Sequence, residues 1–266
     1  MASVKLGWLL AVAALVTGCA TQQPGSRVDN TRLLNAIDID DVSYVRSAVQ
    51  GGALAANERV PAPAYPDGAP LIAVAARAGA IQTLRFLISA GADVNDRTPV
   101  NETPLMLASF FYDRDVQGPR AFERHEQAVK LLIDAGASLE NPHAYSYTPL
   151  AYAAYQGNER VVRYLIDRGA RVNNIAPNGV AYANTPLMMA AIQGNESIAR
   201  MLLRAGADAD IRVIGGHTAS ELAAKYRHAG LARLLQCAER QSAYSLSAEC
   251  RSMLGYDPGT RAVGTR

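Results

Sequence analysis

The chain has 266 residues, of which 49% are hydrophobic and 6% aromatic, and its formal net charge is +2. This near-neutral balance argues against a nucleic-acid-binding protein, because such proteins usually carry a basic stripe. The length allows one or two ordinary domains, unless the chain is built from repeats.

Residues 1–18 have the layout of a secretory signal peptide. One positive charge, Lys5, precedes an apolar run from about Leu6 to Val16. This run is too short for a membrane-spanning helix, which needs about 20 residues. We therefore expect the segment to be cleaved rather than kept as an anchor. Loss of Lys5 with the signal leaves a formal net charge of +1.

The stretch "VTGC", Val16 to Cys19, follows directly. It resembles the lipobox of bacterial lipoproteins, in which the cysteine sulfur receives acyl chains such as palmitate and the signal is cut just before the cysteine. The resemblance implies a mature chain that begins at Cys19, is anchored to a membrane by lipid and faces the periplasm. Several acyl chains together give stable anchoring. The alternative is a plain secretion signal with a cysteine there by chance.

The residue after the cysteine bears on which membrane holds the anchor. In the lipoprotein family an aspartate at that position marks retention in the inner membrane, whereas this chain has Ala20. The resemblance therefore implies an outer-membrane lipoprotein. A linker over residues 19–29 follows, and its extended length of at most ~35 Å would keep the rest of the chain near the bilayer.

One motif recurs along the rest of the chain. Four clear copies are "PLIAVAARAGAIQTLRFLISAGADVN" from Pro70, "TPLMLAS" from Thr103, "TPLAYAAYQGNERVVRYLIDRGARVN" from Thr148 and "TPLMMAAIQGNESIARMLLRAGADAD" from Thr185, and weaker copies start at Thr31 and Thr218. These copies resemble the ankyrin repeat, a unit of about 33 residues with two helices and a β-turn. The resemblance implies an all-α solenoid of about six helix-turn-helix repeats with short β-turns over residues 30–236.

The residues of the motif suit the elements of such a repeat. Thr148 and Thr185 can cap a first helix with their hydroxyls, and Gly157 and Gly194 can end it in a left-handed conformation. No repeat can bury its apolar face alone, so neighbouring repeats must stack. The sequence departs from the family at the position after TPL, where methionine or alanine replaces the usual histidine (Met106, Ala151, Met188) and a Thr–His hydrogen bond is lost. It also departs at Asp40, which replaces a glycine.

Three insertions lengthen the joins between or within copies. The first, "ANERVPAPAYPDG", precedes Pro70, and its prolines predict an irregular loop. The second, "YDRDVQGPRAFERHE", lies between the two helices of the third copy. The third, "NIAPNGVAYA", precedes Thr185. Long loops on repeat proteins lie on one face, often the binding face. The alternative is an insertion tolerated by drift.

Aromatic residues concentrate near the largest insertion. In the ankyrin family the variable positions after the alanine pair and at the turn tips line a concave groove. The residues at or near these positions are the predicted partner-binding residues: Phe110, Phe111, Tyr112, Tyr145, Tyr147, Tyr152, Tyr155 and Tyr182. Tyrosine favours interfaces because its ring is apolar with a polar tip. The alternative is that the phenylalanines only pack the inserted loop onto the repeats.

Two cysteines remain after Cys19, namely Cys237 and Cys250. An even pair in the oxidising periplasm favours a disulfide. On one straight helix the two would be roughly 20 Å apart, and a bridge needs about 4.4–6.8 Å between Cα atoms. The chain must therefore double back near residues 242–247, which predicts a disulfide-clamped helical cap over residues 237–256. Residues 257–266 lack an apolar pattern and are expected to be disordered.

No catalytic arrangement is recognisable in the sequence. The four histidines are scattered, no H-E-x-x-H or G-x-S-x-G motif is present, and no glycine loop is suited to phosphate. The "RHE" stretch at Arg124–Glu126 is interpreted as a solvated helix start rather than a metal site. We therefore expect no enzymatic activity, no metal and no cofactor.

The sequence as a whole predicts a protein-binding module whose partner sits in the concave groove of repeats three to five. Bacterial ankyrin lipoproteins include immunity proteins that neutralise secreted toxins such as phospholipase effectors, so the resemblance implies an immunity or inhibitor role. The alternative is an envelope scaffold or stress-protection factor that binds an endogenous periplasmic protein. Both roles rest on similarity of architecture alone.

Overall fold

The computed structural model of the protein describes residues 28–110, 119–140, 147–175, 181, 183–213, 215–239, 250 and 252–253. Within these residues lie six successive helix pairs and one β-hairpin. The elements are α1 (Asn30–Asp38), α2 (Val42–Gln50), β1 (Arg59–Ala62), β2 (Tyr65–Pro70), α3 (Leu71–Ala78), α4 (Ile81–Ser89), α5 (Pro104–Ser109), α6 (Pro119–Asp134), α7 (Pro149–Gln156), α8 (Glu159–Asp167), α9 (Pro186–Gln193), α10 (Glu196–Arg204), α11 (Ala219–Lys225) and α12 (Ala229–Glu239).

The helices stack in two layers. The first helices α1, α3, α5, α7, α9 and α11 contact one another in that order, and the second helices α2, α4, α6, α8 and α10 do the same behind them. Alanine pairs make close stacking possible, since Ala153, Ala154, Ala190 and Ala191 are fully buried between neighbouring repeats. Each repeat thus buries its apolar face only against the next one, which confirms the predicted repeat architecture.

The ends of the first helices are fixed by the predicted residues. The Thr148 hydroxyl accepts a hydrogen bond from the Ala151 amide at 3.2 Å, and the Thr185 hydroxyl accepts one from the Met188 amide at 3.3 Å. At the other end of these helices, Gly157 and Gly194 have φ values of 79° and 70°. These positive angles favour glycine, so the positions of the turns follow directly from the sequence.

Two of the methionines and Asp40 make contacts that replace what the departures from the family pattern remove. Methionine sulfur takes the place of the lost histidine nitrogen: the Thr103 amide lies 3.5 Å from Met106 Sδ, and the Thr185 amide lies 3.4 Å from Met188 Sδ. Asp40 adopts the left-handed conformation with φ of 56°. Its carboxylate also accepts hydrogen bonds from two amides at the start of α4, so one aspartate both ends a turn and caps a helix.

The insertion before α3 is an antiparallel hairpin, so the expectation of an irregular loop was wrong, whereas the predicted stack of helical repeats is confirmed. β1 pairs with β2 with a register shift between Val60 and Ala62. Val60, Tyr65 and Ala69 point into the core and are at most 5% exposed. Prolines are tolerated because a two-stranded ribbon consists of edge strands. Burial of three apolar side chains therefore outweighs the poor strand propensity of this segment.

The C-terminal end carries the predicted disulfide. Cys237 and Cys250 are bonded, with their Cα atoms 5.3 Å apart. Arg200 of α10 donates a hydrogen bond to the Met253 carbonyl, and Met253 packs against the core. Cys237 lies inside α12, so the boundary predicted at residue 237 falls within the second helix of the last repeat.

Other sequence predictions concern residues outside the described part of the chain. These are the signal over residues 1–18, Cys19 and most of the 19–29 linker, the turn near residues 242–247 and the tail over residues 257–266. In the part that the structure describes, no helix has both the length and the apolar character to cross a membrane.

Candidate functional site

Four of the predicted partner-binding residues form one cluster. Phe110 follows α5, Tyr147 precedes the start of α7, and Tyr152 and Tyr155 lie on α7 itself. The Phe110 ring centroid is 5.3 Å from that of Tyr152 and 5.8 Å from that of Tyr155, and the Tyr147 and Tyr152 centroids are 5.6 Å apart. We call these four residues the aromatic patch.

The rings of the aromatic patch are neither fully buried nor fully exposed. All four residues are half-buried, and Tyr147 and Tyr155 pack partly against the core. Each ring therefore has an inner edge fixed by the stack and an outer part that a partner can contact. Phe111, Tyr112, Tyr145 and Tyr182, which the sequence also predicted, lie outside the described residues.

A buried carboxylate, which the sequence analysis missed, holds one ring of the patch in place. Glu102 is only 8% exposed. Its Oε1 accepts a hydrogen bond from the Tyr152 hydroxyl at 3.1 Å, and its Oε2 accepts one from the Tyr65 hydroxyl at 2.5 Å. The turn from Thr98 fixes the Glu102 backbone, since the Thr98 hydroxyl accepts from the Glu102 amide at 3.1 Å. Glu102 thus connects the hairpin to the aromatic patch.

The acidity of Tyr65, which donates to Glu102, is altered mainly by burial. Desolvation raises the pKa of Tyr65 well above its usual value, and the hydrogen bond to Glu102 raises it further. Tyr65 is therefore a neutral hydrogen-bond donor under all ordinary conditions. Nothing in the sequence singled out Glu102, because its partners lie 37 and 50 residues away along the chain.

A cavity of about 700 Å³ lies beside the hairpin, and we call it the insertion pocket. Its walls come from α1, from the turn of the hairpin, from the end of α3 and from the start of α6. Among its lining residues are Leu34 and Asp38 of α1, Tyr65 of the hairpin, Arg77 of α3, and Arg124 and His125 of α6. The pocket adjoins the aromatic patch through the Tyr65–Glu102–Tyr152 connection.

The wall supplied by α6 exists because this helix is longer than its counterparts. α6 has 16 residues, whereas α8 and α10 have nine each. His125 aligns with Asn158 and Asn195, which cap α8 and α10. The six residues 119–124 are therefore an extension at the start of the helix, and they belong to the largest insertion. Two separate insertions, the hairpin and this extension, thus meet at one pocket.

His125 is buried at the base of the pocket, so the expectation of a solvated helix start at "RHE" was wrong. The residue is 4% exposed and its Nδ1 lies 3.0 Å from the Ala108 carbonyl oxygen. Desolvation lowers the pKa of His125 to about 4. The ring is therefore neutral near pH 7, and the charged side chains of the lining are Arg77, Arg124 and Asp38.

Metal-ligating side chains are not grouped in the part of the chain that the structure describes. Across the described ranges, no three side chains of the types His, Cys, Asp and Glu are grouped so that they could hold a metal ion. What the two neighbouring surfaces offer is apolar area, tyrosine rings, two guanidinium groups and the carboxylate of Asp38. Such surfaces bind other molecules by burial, hydrogen bonding and charge.

Comparison with known families matches three ankyrin models to this region. The model for ankyrin repeats (3 copies) matches residues 120–176, the model for ankyrin repeats (many copies) matches residues 150–203, and the model for a single ankyrin repeat matches residues 69–99. The chain is an ankyrin-repeat protein. The aromatic patch lies on the third and fourth ankyrin repeats, and the insertion pocket lies on the first three.

Curated relatives share only a short segment with this ankyrin-repeat protein. It is 44% identical over 45 residues to the mouse "Ankyrin repeat, SAM and basic leucine zipper domain-containing protein 1" and 47% identical over 45 residues to the protein of that name from rabbit. Each match covers 17% of this chain and 10% of the relative. The chain therefore matches about a tenth of the length of these relatives.

Proposed function

We propose that this ankyrin-repeat protein is a non-enzymatic module that binds a partner protein on the aromatic patch. The observation that supports this most is the assembly of Phe110, Tyr147, Tyr152 and Tyr155, from two repeats, into one half-buried cluster. Ankyrin repeats serve mainly as protein-binding modules, and interfaces concentrate their binding energy in a few aromatic residues surrounded by less important contacts.

We further propose that the module is lipid-anchored at Cys19 to the outer membrane and faces the periplasm. The lipobox "VTGC" supports the anchor. The Cys237–Cys250 disulfide supports an oxidising compartment, because such bonds are rare where thiols are kept reduced. In this position the protein acts as an immunity protein that inhibits a secreted toxin such as a phospholipase effector, beside the lipid that the toxin attacks.

Replacement of Tyr147 or Tyr155 by alanine should weaken partner binding at least about tenfold, since truncation of a buried interface aromatic costs about 2 kcal/mol or more. The mature chain is used to capture its partner from envelope extracts, and the affinity of each variant for that partner is then measured beside a thermal melt. Tyr226→Ala is the matched control, because Tyr226 is 49% exposed and lies on the last repeat.

Two outcomes would contradict this proposal. If both tyrosine variants bind the partner like the parent, the aromatic patch is not the binding surface. If both variants unfold, their rings serve the core only. The immunity role is tested on the captured protein: a lipolytic toxin that the chain inhibits on phospholipid vesicles supports it, whereas an endogenous envelope protein assigns the chain to scaffolding or stress protection.

Replacement of Cys19 by serine should abolish palmitate incorporation and leave unprocessed precursor, because acylation requires the thiol. Metabolic labelling with palmitate and the electrophoretic size of the chain measure both effects. Cys237→Ser is the control, since it removes a cysteine without touching the lipobox and should be labelled normally. Normal labelling of the Cys19→Ser protein would show that the chain is not anchored at this residue.

A further inference from the structure

We propose that the insertion pocket binds an acidic side chain of a peptide segment of the partner protein, with Arg77 and Arg124 as the groups that recognise its carboxylate. This inference rests on the proposed function as a protein-binding module and names a second part of the same interface. It assigns a role to the two insertions, which an ordinary ankyrin stack does not need.

Both arginines line the pocket, Arg77 from the end of α3 and Arg124 from the extension of α6. α3 ends at Gly79, and a Cβ atom built on Gly79 would lie 3.5 Å from Arg124 Cβ. The extension of α6 therefore touches the end of α3, only two residues beyond Arg77. The Arg77 guanidinium carbon lies 5.8 Å from the Tyr65 ring centroid, which directs this side chain along the hairpin wall. Both side chains line the same cavity.

Two of the three charged side chains that line the pocket are positive. Arg124 is exposed and forms no ion pair with any residue in the described part of the chain. His125 beside it contributes no charge near pH 7 because it is buried. Asp38, at the end of α1, is the third charged residue of the lining. Two positive groups and one negative group give the lining a net positive charge, which favours a carboxylate as the ligand.

Geometry favours arginine as the group that recognises a carboxylate. A guanidinium group donates parallel hydrogen bonds to the two carboxylate oxygens, which an ammonium group cannot match. The concave walls exclude part of the solvent, so the attraction is stronger there than on an open surface. An acidic group in this pocket therefore gains both charge pairing and defined hydrogen bonds.

The remaining lining selects what flanks the acidic residue. Leu34, Val74, Ala78 and Ala121 are aliphatic, and the hairpin turn adds Ala62 and Pro63. These walls accept a small aliphatic side chain next to the carboxylate. Exposed Thr31 and Asn35 on α1 can form hydrogen bonds with the backbone of the segment. The expected ligand is an aspartate or glutamate beside a small apolar residue.

The test uses the mature chain and a phage-displayed library of random dodecamer peptides. Selected peptides should be enriched in an aspartate or glutamate next to an aliphatic residue. Fluorescence polarisation with a labelled selected peptide should give at least a tenfold higher Kd for Arg124→Gln than for the parent. The amide version of the peptide, with Asn or Gln at the acidic position, should bind the parent equally weakly. Arg233→Gln is the matched control, since Arg233 is exposed on α12, away from the pocket.

Three results would overturn the inference: a selection that yields no binder, binders without an acidic residue, or a Kd that Arg124→Gln leaves unchanged while its melt matches the parent. The captured partner separates this inference from the proposed function. If Tyr155→Ala abolishes capture and Arg124→Gln does not affect it, the pocket inference alone fails. If no protein is captured but acidic peptides still require Arg124, the proposed partner-binding role fails and the pocket remains a peptide site.

Discussion

Replacement of Gly194 by alanine is expected to lower the free energy of unfolding by about 2–5 kcal/mol. Gly194 ends α9 with φ of 70°, and an L-residue in this conformation costs about 1–2 kcal/mol. The added Cβ would also lie 2.8 Å from Cγ of His228 and closer still to Nδ1 and Cε1. Such overlap in a packed site costs a further ~1–3 kcal/mol. Chemical denaturation of parent and variant measures the sum.

The His228 ring has little freedom to move away from the new methyl group. Its Nε2 lies 3.1 Å from the Ile192 carbonyl oxygen, which is two residues before Gly194. Movement of the ring would break this hydrogen bond and withdraw His228 from the junction between the fifth and sixth repeats. The clash therefore acts on the contact that couples the last repeat to the stack.

Gly157 provides the matched control, because it occupies the same position one repeat earlier, with φ of 79°. There a Cβ would meet only Asn195 Nδ2 at 3.4 Å, an ordinary contact. Gly157→Ala should thus lose only the ~1–2 kcal/mol of backbone strain. A double variant, Gly194→Ala with His228→Asn, recreates the Gly157 environment and should regain part of the loss. Equal losses for the two glycine variants would refute the steric argument.

The parts of the fold that repeat were predictable from the sequence. The caps at Thr148 and Thr185 and the left-handed turns at Gly157 and Gly194 are local features, so they follow from residue type alone. The packing of the stack was also predictable, because each copy of the motif places its alanines and leucines at the same positions. Six copies of one regular unit leave little conformational freedom for the segments that join the helices of each copy.

The insertions were not predictable, because no repeated template constrains them. The prolines around Pro61 indicated a loop, but Val60 and Tyr65 gain enough from burial to form a hairpin. His125 was interpreted as solvated since it stands among charged residues, yet it occupies the repeat position of Asn158 and Asn195 and lies against Gly79 at the end of α3. In both cases a contact with a residue far along the chain decided the structure.

The candidate site was predictable only where its residues occupy defined positions within the repeats. Phe110, Tyr147, Tyr152 and Tyr155 were chosen from their positions within the repeats, and the structure brings them together. Whether they bind a partner remains a prediction. Glu102 was missed because a single carboxylate before a helix carries no signal. Its importance comes entirely from two tyrosines on other elements.

Replacement of Glu102 by alanine is expected to lower the free energy of unfolding by about 3–6 kcal/mol. Hydrogen bonds to a charged group contribute about 1.5–3 kcal/mol each, and Glu102 accepts one from Tyr65 and one from Tyr152. The variant leaves the buried Tyr65 hydroxyl without its acceptor. It also frees Tyr152 within the aromatic patch and loosens the hairpin wall of the insertion pocket, so both proposed binding surfaces should weaken together.

A double-mutant cycle with Tyr65→Phe isolates the bond between the hairpin and Glu102. The double variant, Glu102→Ala with Tyr65→Phe, should be more stable than the sum of the single losses predicts, by about 1.5–3 kcal/mol. Tyr226→Phe is the control, since this exposed ring should show no coupling to Glu102. Strictly additive losses would mean that the carboxylate does not stabilise the protein through Tyr65.

The same bond should be visible in the alkaline pH dependence of stability. The pKa of Tyr65 is raised in the folded protein, first by burial and then by Glu102, so folding favours the neutral phenol. The stabilisation of the folded chain that follows from this raised pKa is complete below pH ~10, the usual pKa of tyrosine. It is lost as the pH rises above that value, because the unfolded chain then releases a proton that the folded chain retains. The stability gap between the parent and Tyr65→Phe should therefore narrow above pH ~10. A gap that stays constant up to pH ~11.5 would mean that Tyr65 ionises as readily in the folded chain as in the unfolded one, against the buried Tyr65–Glu102 bond.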